Sequence, residues 1–323
     1  MIGSATGPRA VPRPAGGRDR APGPNRERSL ATFDRARRER SRWRWVGTIS
    51  PLVGFCLVVL ALFVVGAVFA DAIAPHAPTR NYLLGRLRPP AFVDGGSPEH
   101  LLGTDELGRD LLSRLIHGAR VSLAIAALGT LFGAAFGALC GLAAGFARGR
   151  LDELMMLLVD AYIALPFLIV ALVVVAMLGS SLRVLILLAA LAGWASYTRV
   201  SRGLALRARQ EQYVLAARAL GAGPLRLVLR HVLPNVVAPL VVLATFELTG
   251  IILLEASLSF LGFGVQPPTP AWGLMVSEGR EFLHTAWWVG VFPGLVIMLV
   301  AIAVSLSGDW LREVLDPMLR SKA

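Results

Sequence analysis

QEQYVLAARALGAGPLRLVLRHVLPN, residues 210–235, interrupts a chain that is otherwise dominated by apolar runs. It holds a small-residue pair (Ala216, Ala217), a glycine turn between Gly221 and Gly223, a proline suited to the first position of a new helix (Pro224), and a closing Leu233-Pro234. The expected form is two short helices with a sharp bend between them. On the first, Val214, Ala217 and Gly221 recur at three- and four-residue steps, a narrow face that another helix backbone can approach closely. Arg207, Arg209, Arg218, Arg226 and Arg230 surround that face. An arginine cluster between apolar runs belongs on the cytoplasmic side of a membrane, where short loops carry the Arg and Lys excess.

Composition extends this reading to the whole chain. With 55% hydrophobic and 16% charged residues, the 323-residue protein is expected to be an all-α membrane protein. The net charge of +11 does not point to nucleic acid, because residues 1–50 hold twelve Arg against four acids and end at the first apolar run. Such a tail is an orientation signal. Cys56 and Cys140 both lie within apolar runs and read as small hydrophobes rather than a disulfide or metal site.

In chain order, residues 1–44 are expected to be a disordered, basic cytoplasmic tail and 45–74 the first transmembrane helix, with its apolar run over 51–73. A cleavable signal peptide is the rival for that run, but its long basic lead and long apolar core argue against cleavage. Residues 75–120 form an extracytoplasmic insertion that closes with HLLGTDELGRDLLSRLIHGARVSL, in which Leu107, Leu111 and Leu115 share a helix face and Asp110 and Arg114 stand at i, i+4. That pattern predicts a helix lying on the outer membrane surface. Capping, pairing and solvation account for Asp105, Asp110 and His117 without catalysis. A core over 121–310 then holds five more spans: 121–147, 154–178, 182–198, 236–260 and 286–308, with the bent loop inside 199–235 and a cytoplasmic tail over 311–323. Gly129, Gly133, Gly137, Gly141 and Gly145 recur every fourth residue on the second span and predict a close helix contact. With six spans and both termini inside, the inner segments carry 24 of the 32 basic residues, as the orientation requires.

Three acids fall inside apolar runs and are candidates for a translocation path. At 1.5 Å per residue, Asp160 lies roughly 12 Å, Glu247 roughly 16 Å and Glu255 roughly 28 Å from the inner boundary. Glu247 is thus near the midplane, either lining a polar conduit or bonded to a neighbouring helix. Glu255 suits a structural role at a helix end, and Asp160 can meet water from the cytoplasm.

The bent loop resembles the cytoplasmic "EAA" loop in membrane subunits of bacterial ABC importers: Glu-Ala-Ala, three residues, Gly, nine residues, Ile-x-Leu-Pro. Ala216, Ala217, Gly221, Leu233 and Pro234 stand at matching positions, while Leu215 replaces the Glu and His231 the Ile. The wording YVLAARALG with RHVLPN is similar to the dipeptide, oligopeptide and nickel branch, as is the run Gly103-Thr104-Asp105 with Gly108-Arg109-Asp110. The resemblance implies a type I ABC importer permease of six transmembrane helices, whose loop forms a cytoplasmic coupling helix docking on a separate ATPase. Tyr213, Leu215, Ala216, Ala217, Arg218, Gly221 and Pro224 would then be the ATPase-coupling residues. Implied partners are a homologous second permease, two ATPase subunits holding ATP and Mg, an extracytoplasmic substrate-binding protein, and a dipeptide or oligopeptide cargo. Nickel is the alternative cargo.

No catalytic, cofactor or metal constellation is read from the sequence. A phosphate-binding loop needs Gly-Lys followed by Ser or Thr, and the only lysine is Lys322, followed by Ala323. His-Glu-x-x-His and Gly-x-Ser-x-Gly are both absent. From another class, an independent secondary transporter or channel would need ion-coupling residues and no docking loop.

Overall fold

A computed structural model describes residues 50–315. The expected tail over 1–44 lies outside them, as do residues 316–323; residues 311–315 continue the last helix instead of beginning a tail. The described residues form helices and loops, with one isolated antiparallel bridge between Thr104 and Asp110. The main helices are α1 (Pro51–Val68), α2 (Leu111–Ala147), α3 (Arg150–Ala164), α4 (Phe167–Leu178), α5 (Leu182–Ala208), α6 (Gln212–Ala219), α7 (Leu233–Phe260), α8 (Trp272–Gly279) and α9 (Trp288–Leu315). Among the described residues, five helices are long and apolar enough to cross a membrane: α1, α2, α5, the run Pro224–Phe260 that contains α7, and α9. A sixth crossing follows if α3 and α4, bent by 88° at their junction, make one broken span.

Local chemistry sets these ends. Ser50 accepts from the Val53 N–H at 3.3 Å, with Pro51 in the first turn of α1, and Ser181 caps α5 in the same way. Pro166 breaks the expected continuous span over 154–178: it cannot donate to the helix ladder, and it pushes Leu165 into extended backbone. The helix expected on the outer surface is also corrected. Leu107 lies in a loop, Asp110 caps α2 through the Ser113 N–H at 2.8 Å, and Arg114 turns to Asp105 rather than Asp110. From Leu111 nothing interrupts the helix for 37 residues, because the segment holds no proline and its glycines lie against another helix. At 1.5 Å per residue that is about 55 Å, well beyond the roughly 30 Å hydrocarbon core, so α2 carries the insertion and the span on one rod.

That neighbour is α5. The backbones of α2 and α5 meet along Gly129, Gly133, Gly137, Gly141 and Gly145, which face Ala189, Ala190, Trp194 and Tyr197, Thr198 and Ser201, and Ala205 in turn. A Cβ placed at Gly133 would lie 2.7 Å from the Ala190 carbonyl oxygen, and one at Gly145 would lie 2.7 Å from the Ala205 Cβ. Both are far inside van der Waals contact, so the period-four glycine pattern is what lets the two helices close. Around this pair α7, α8 and α9 complete an apolar core that includes Ile125, Leu188, Ile251, Trp272 and Val300. At the other side of α2, Arg120 donates from Nε to the Ala67 carbonyl at 2.9 Å and pairs with Asp71 at 3.0 Å, satisfying the orphan end of α1.

Gly137→Leu is expected to force α2 and α5 apart at a cost of about 1–3 kcal/mol or more, lowering the thermal unfolding midpoint of the detergent-solubilised protein. Gly203→Ala on α5, where a Cβ meets nothing within 4 Å, is the matched control and should leave the midpoint unchanged or raised.

Candidate functional site

In the loop over 210–235, α6 ends in a complete glycine stop. Gly221 adopts φ +83°, its N–H donates to the Arg218 carbonyl at 3.0 Å, and the Ala222 N–H donates to the Ala217 carbonyl at 3.1 Å. This is the paired 5→2 and 6→1 arrangement that satisfies the last carbonyls of a helix and needs a residue tolerant of positive φ. Pro224 then opens the next helical turn at its first position, as the sequence predicts.

The second short helix does not end at Leu233-Pro234. Residues Leu227–Val232 form a π-helical turn, in which the Leu233 N–H reaches back to the Val228 carbonyl, and the chain runs directly into α7. Pro234 lacks the N–H that an α-helix would need there, and the wider turn just before it lets the backbone pass without a break.

A second correction concerns direction. The small-residue face of Val214 and Ala217, of which the resemblance assigns Ala217 to ATPase coupling, turns inward: Val214 is 2% exposed and, with half-buried Ala217, joins Leu142, Leu227 and Val232 in a core of the protein itself. The outward side carries Tyr213, Leu215, Ala216, Arg218, Gly221 and Pro224, with Leu220 89% and Leu225 71% exposed. Arg209, which sequence reasoning grouped with the surrounding arginines, holds the loop to α2. Its Nη1 donates to the Phe146 carbonyl at 2.6 Å, its guanidinium lies 5.7 Å from the Phe146 ring centroid, and both border a cleft of about 160 Å³ beside Val214 and Pro224. Asn235 closes the other side, donating to the Tyr213 hydroxyl at 3.2 Å and the His231 carbonyl at 2.9 Å.

The three acids in apolar runs are not brought together. Asp160 sits on the surface, its side chain 64% exposed and paired with Arg199 at 2.5 Å. Glu255 is enclosed; its carboxylate accepts from Ser122 of α2 at 3.2 Å and Ser259 at 2.7 Å, and the Ser122 hydroxyl also accepts from the Trp272 N–H at 3.2 Å. It therefore ties α2, α7 and α8 together instead of lining an open path within this chain. Glu247 is half-buried against α5 at Gly193, where a Cβ would come within 3.2 Å of Glu247 Oε2. Nearby, the Tyr197 hydroxyl is buried with no hydrogen-bond partner.

Asp105 serves the insertion structurally. Fully buried, it accepts from the Leu107 and Arg109 N–H groups at 2.9 Å each, from Arg109 Nε at 2.6 Å and from Arg114 Nη1. Arg114 also pairs with Glu278 of α8 at 2.9 Å, so this buried ionic group locks the insertion onto the helical core. Beside it, burial pushes the Glu106 carboxyl above the ordinary carboxylate range.

A family model described as "Binding-protein-dependent transport system inner membrane component" matches residues 133–321. The chain belongs to that family. Over 267 residues this transport-system component is 45% identical to the di/tripeptide transport system permease protein DppC of Pseudomonas aeruginosa (strain UCBPP-PA14), covering 83% of this chain and 88% of that protein. The dipeptide transport system permease protein DppC of Escherichia coli (strain K12) is 45% identical over 269 residues, covering 83% of this chain and 89% of the relative. Among solved structures, a chain of the MetNI methionine ABC transporter in inward-facing conformations shares the fold, with a TM-score of 0.53 at 18% identity, covering 64% of this chain and 98% of that one.

In this inner membrane component, Ala217→Arg is expected to unfold the loop's own packing and lower thermal stability, since it drives a charge into an apolar contact. Leu220→Arg, at an open position, should stay within about 0.5 kcal/mol of the parent. Thermal unfolding of the two purified variants checks this, and the reverse order would place the free face on the Val214 side.

Proposed function

We propose that this chain is a membrane-spanning permease subunit of an ATP-driven ABC importer of dipeptides and short peptides, and that residues 210–235 dock on a separate ATPase. The observation that carries this reading is the exposure of Leu215, Leu220 and Leu225 at a bend ringed by arginines. Exposed apolar side chains grouped within a polar rim mark a site of protein interaction. The likeness to di/tripeptide and dipeptide permeases supports the cargo class.

The bend is built to transmit displacement. The Gly221 stop fixes the angle between α6 and the next turn, Arg209 and Val214 hold α6 to the end of α2, and the π turn joins the bend to α7 without a flexible linker. A push on Leu220 is thus passed to α2, α5 and α7 together. No phosphate-binding loop is present, so hydrolysis and the ATP and Mg that it needs belong to partner subunits. This chain makes and breaks no covalent bond. Together with a second, homologous permease it would enclose a path that opens alternately to each side, supplied from outside by a substrate-binding protein. Both termini lie in the cytoplasm, by the bias of basic residues. Glu247, half-buried near the middle of α7, is the acid of the three best placed to meet the charged ammonium of a peptide.

Leu220→Asp and Leu215→Asp are expected to leave membrane insertion intact while weakening ATPase docking. Loss of an apolar anchor costs about 2 kcal/mol or more, roughly thirtyfold in affinity. Copurification of ATPase subunits and uptake of a labelled dipeptide should fall together. Undiminished docking and uptake in both variants would reduce the loop to a basic linker.

A further inference from the structure

Away from this loop, His76, His100 and Asp110 converge where the exit of α1 meets the start of α2. We propose that they form a binding site for one zinc-class divalent cation. Their ligand atoms all lie within 4.8 Å of one another. His100 Nδ1 stands 2.9 Å from Asp110 Oδ1, and His76 Nδ1 stands 3.9 Å from the same oxygen; the two rings lie 4.9 Å apart and tilted by 38°.

The surroundings prepare that oxygen. Asp110 Oδ2 is committed to Ser113, accepting from its N–H at 2.8 Å and its hydroxyl at 2.7 Å, which fixes the carboxylate and aims Oδ1 at the histidines. Ser113 in turn accepts from the His76 N–H at 3.0 Å, holding the backbone of the first histidine against the same turn. Ligating carboxylates are commonly oriented in this way by hydrogen bonds to their second oxygen. A hydrogen bond between His100 and Asp110 accounts for His100 alone. His76 Nδ1 is buried with no hydrogen-bond partner, and 3.9 Å is too long for one. A cation between the three groups would satisfy it.

Two imidazole nitrogens and one carboxylate oxygen suit zinc and similar transition ions, whereas magnesium and calcium take oxygen ligands. With ligand bonds of about 2.0–2.1 Å in a tetrahedron, ligand atoms stand roughly 3.3 Å apart, so the two histidines need to close by about 1.5 Å, within reach of a side-chain rotation at His76. Its side chain is 32% exposed, which gives an ion a way in and leaves room for water as the fourth ligand. The cation would bolt α1 to the N-terminus of α2 across a loop of more than thirty residues, over 76–110.

The test uses the full chain purified with whatever partner subunits it retains, after removal of any histidine tag and treatment with EDTA. Zinc sulfate is titrated calorimetrically at neutral pH, and bound zinc is measured after gel filtration. The wild type should hold one zinc equivalent more than His76→Ala and His100→Ala, each of which should bind at that site at least about tenfold more weakly. Millimolar magnesium should not compete. His76 lies in a partly exposed loop, so its variant tests the site with little risk to folding. Equal zinc binding in wild type and both variants, no zinc binding at all, or displacement by magnesium would each overturn the proposal.

Discussion

The closeness of α2 and α5 is the constraint on which the rest of the molecule depends. Two helices can share a backbone-to-backbone seam only where side chains are absent, and the five glycines of α2 remove them at each turn of contact. In a bilayer the seam has no hydrophobic effect between helices to rely on, because lipid tails are as apolar as leucine. Close packing of the two backbones takes its place. α2 also extends well beyond the seam, so whatever aligns it with α5 also aligns the insertion at one end and the bent loop at the other.

At the loop end, the last residues of α2 receive Arg209, and Leu142 receives Val214. At the insertion end, the buried Asp105, Arg109, Arg114 and Glu278 group and the Glu255–Ser122 contact tie the same helix to α7 and α8. Buried ion pairs of this kind add little net stability, but removing one partner leaves an uncompensated charge, so they hold one arrangement in place of many. A rod clamped at both ends is suited to pass displacement from one face of the membrane towards the other, as the proposed alternating access requires.

Much of this was legible in the residues. A period-four glycine stripe states its own purpose, and a glycine between an Ala-rich helix and a proline announced both the stop at Gly221 and the restart at Pro224. What the residues do not show is which neighbour fills a face. Val214, Ala217 and Gly221 mark a small-residue face, but only the fold shows that the chain itself covers Val214 and Ala217 while Gly221 stays outside. The length of α2 was hidden because its first turns are polar and look like surface, and the continuity at Pro234 depends on a π turn that no periodicity reports. The Arg209 contact with α2 carries no local signal, since an arginine that caps a distant helix looks like any other in a basic loop. Nor does spacing link His76, His100 and Asp110, which meet only because the insertion folds back on the start of α2.

The central claim, that the exposed tip of the loop meets an ATPase, is tested most directly by site-specific cross-linking. With Cys56 and Cys140 replaced by serine, a single Leu220→Cys or Ser97→Cys variant would be assembled with its ATPase subunits in inside-out vesicles and treated with a short bifunctional thiol reagent. Leu220→Cys should give an adduct with an ATPase subunit, while Ser97→Cys, in the insertion, should give none. An ATPase adduct at Ser97→Cys and none at Leu220→Cys would contradict both the orientation and the role of the loop.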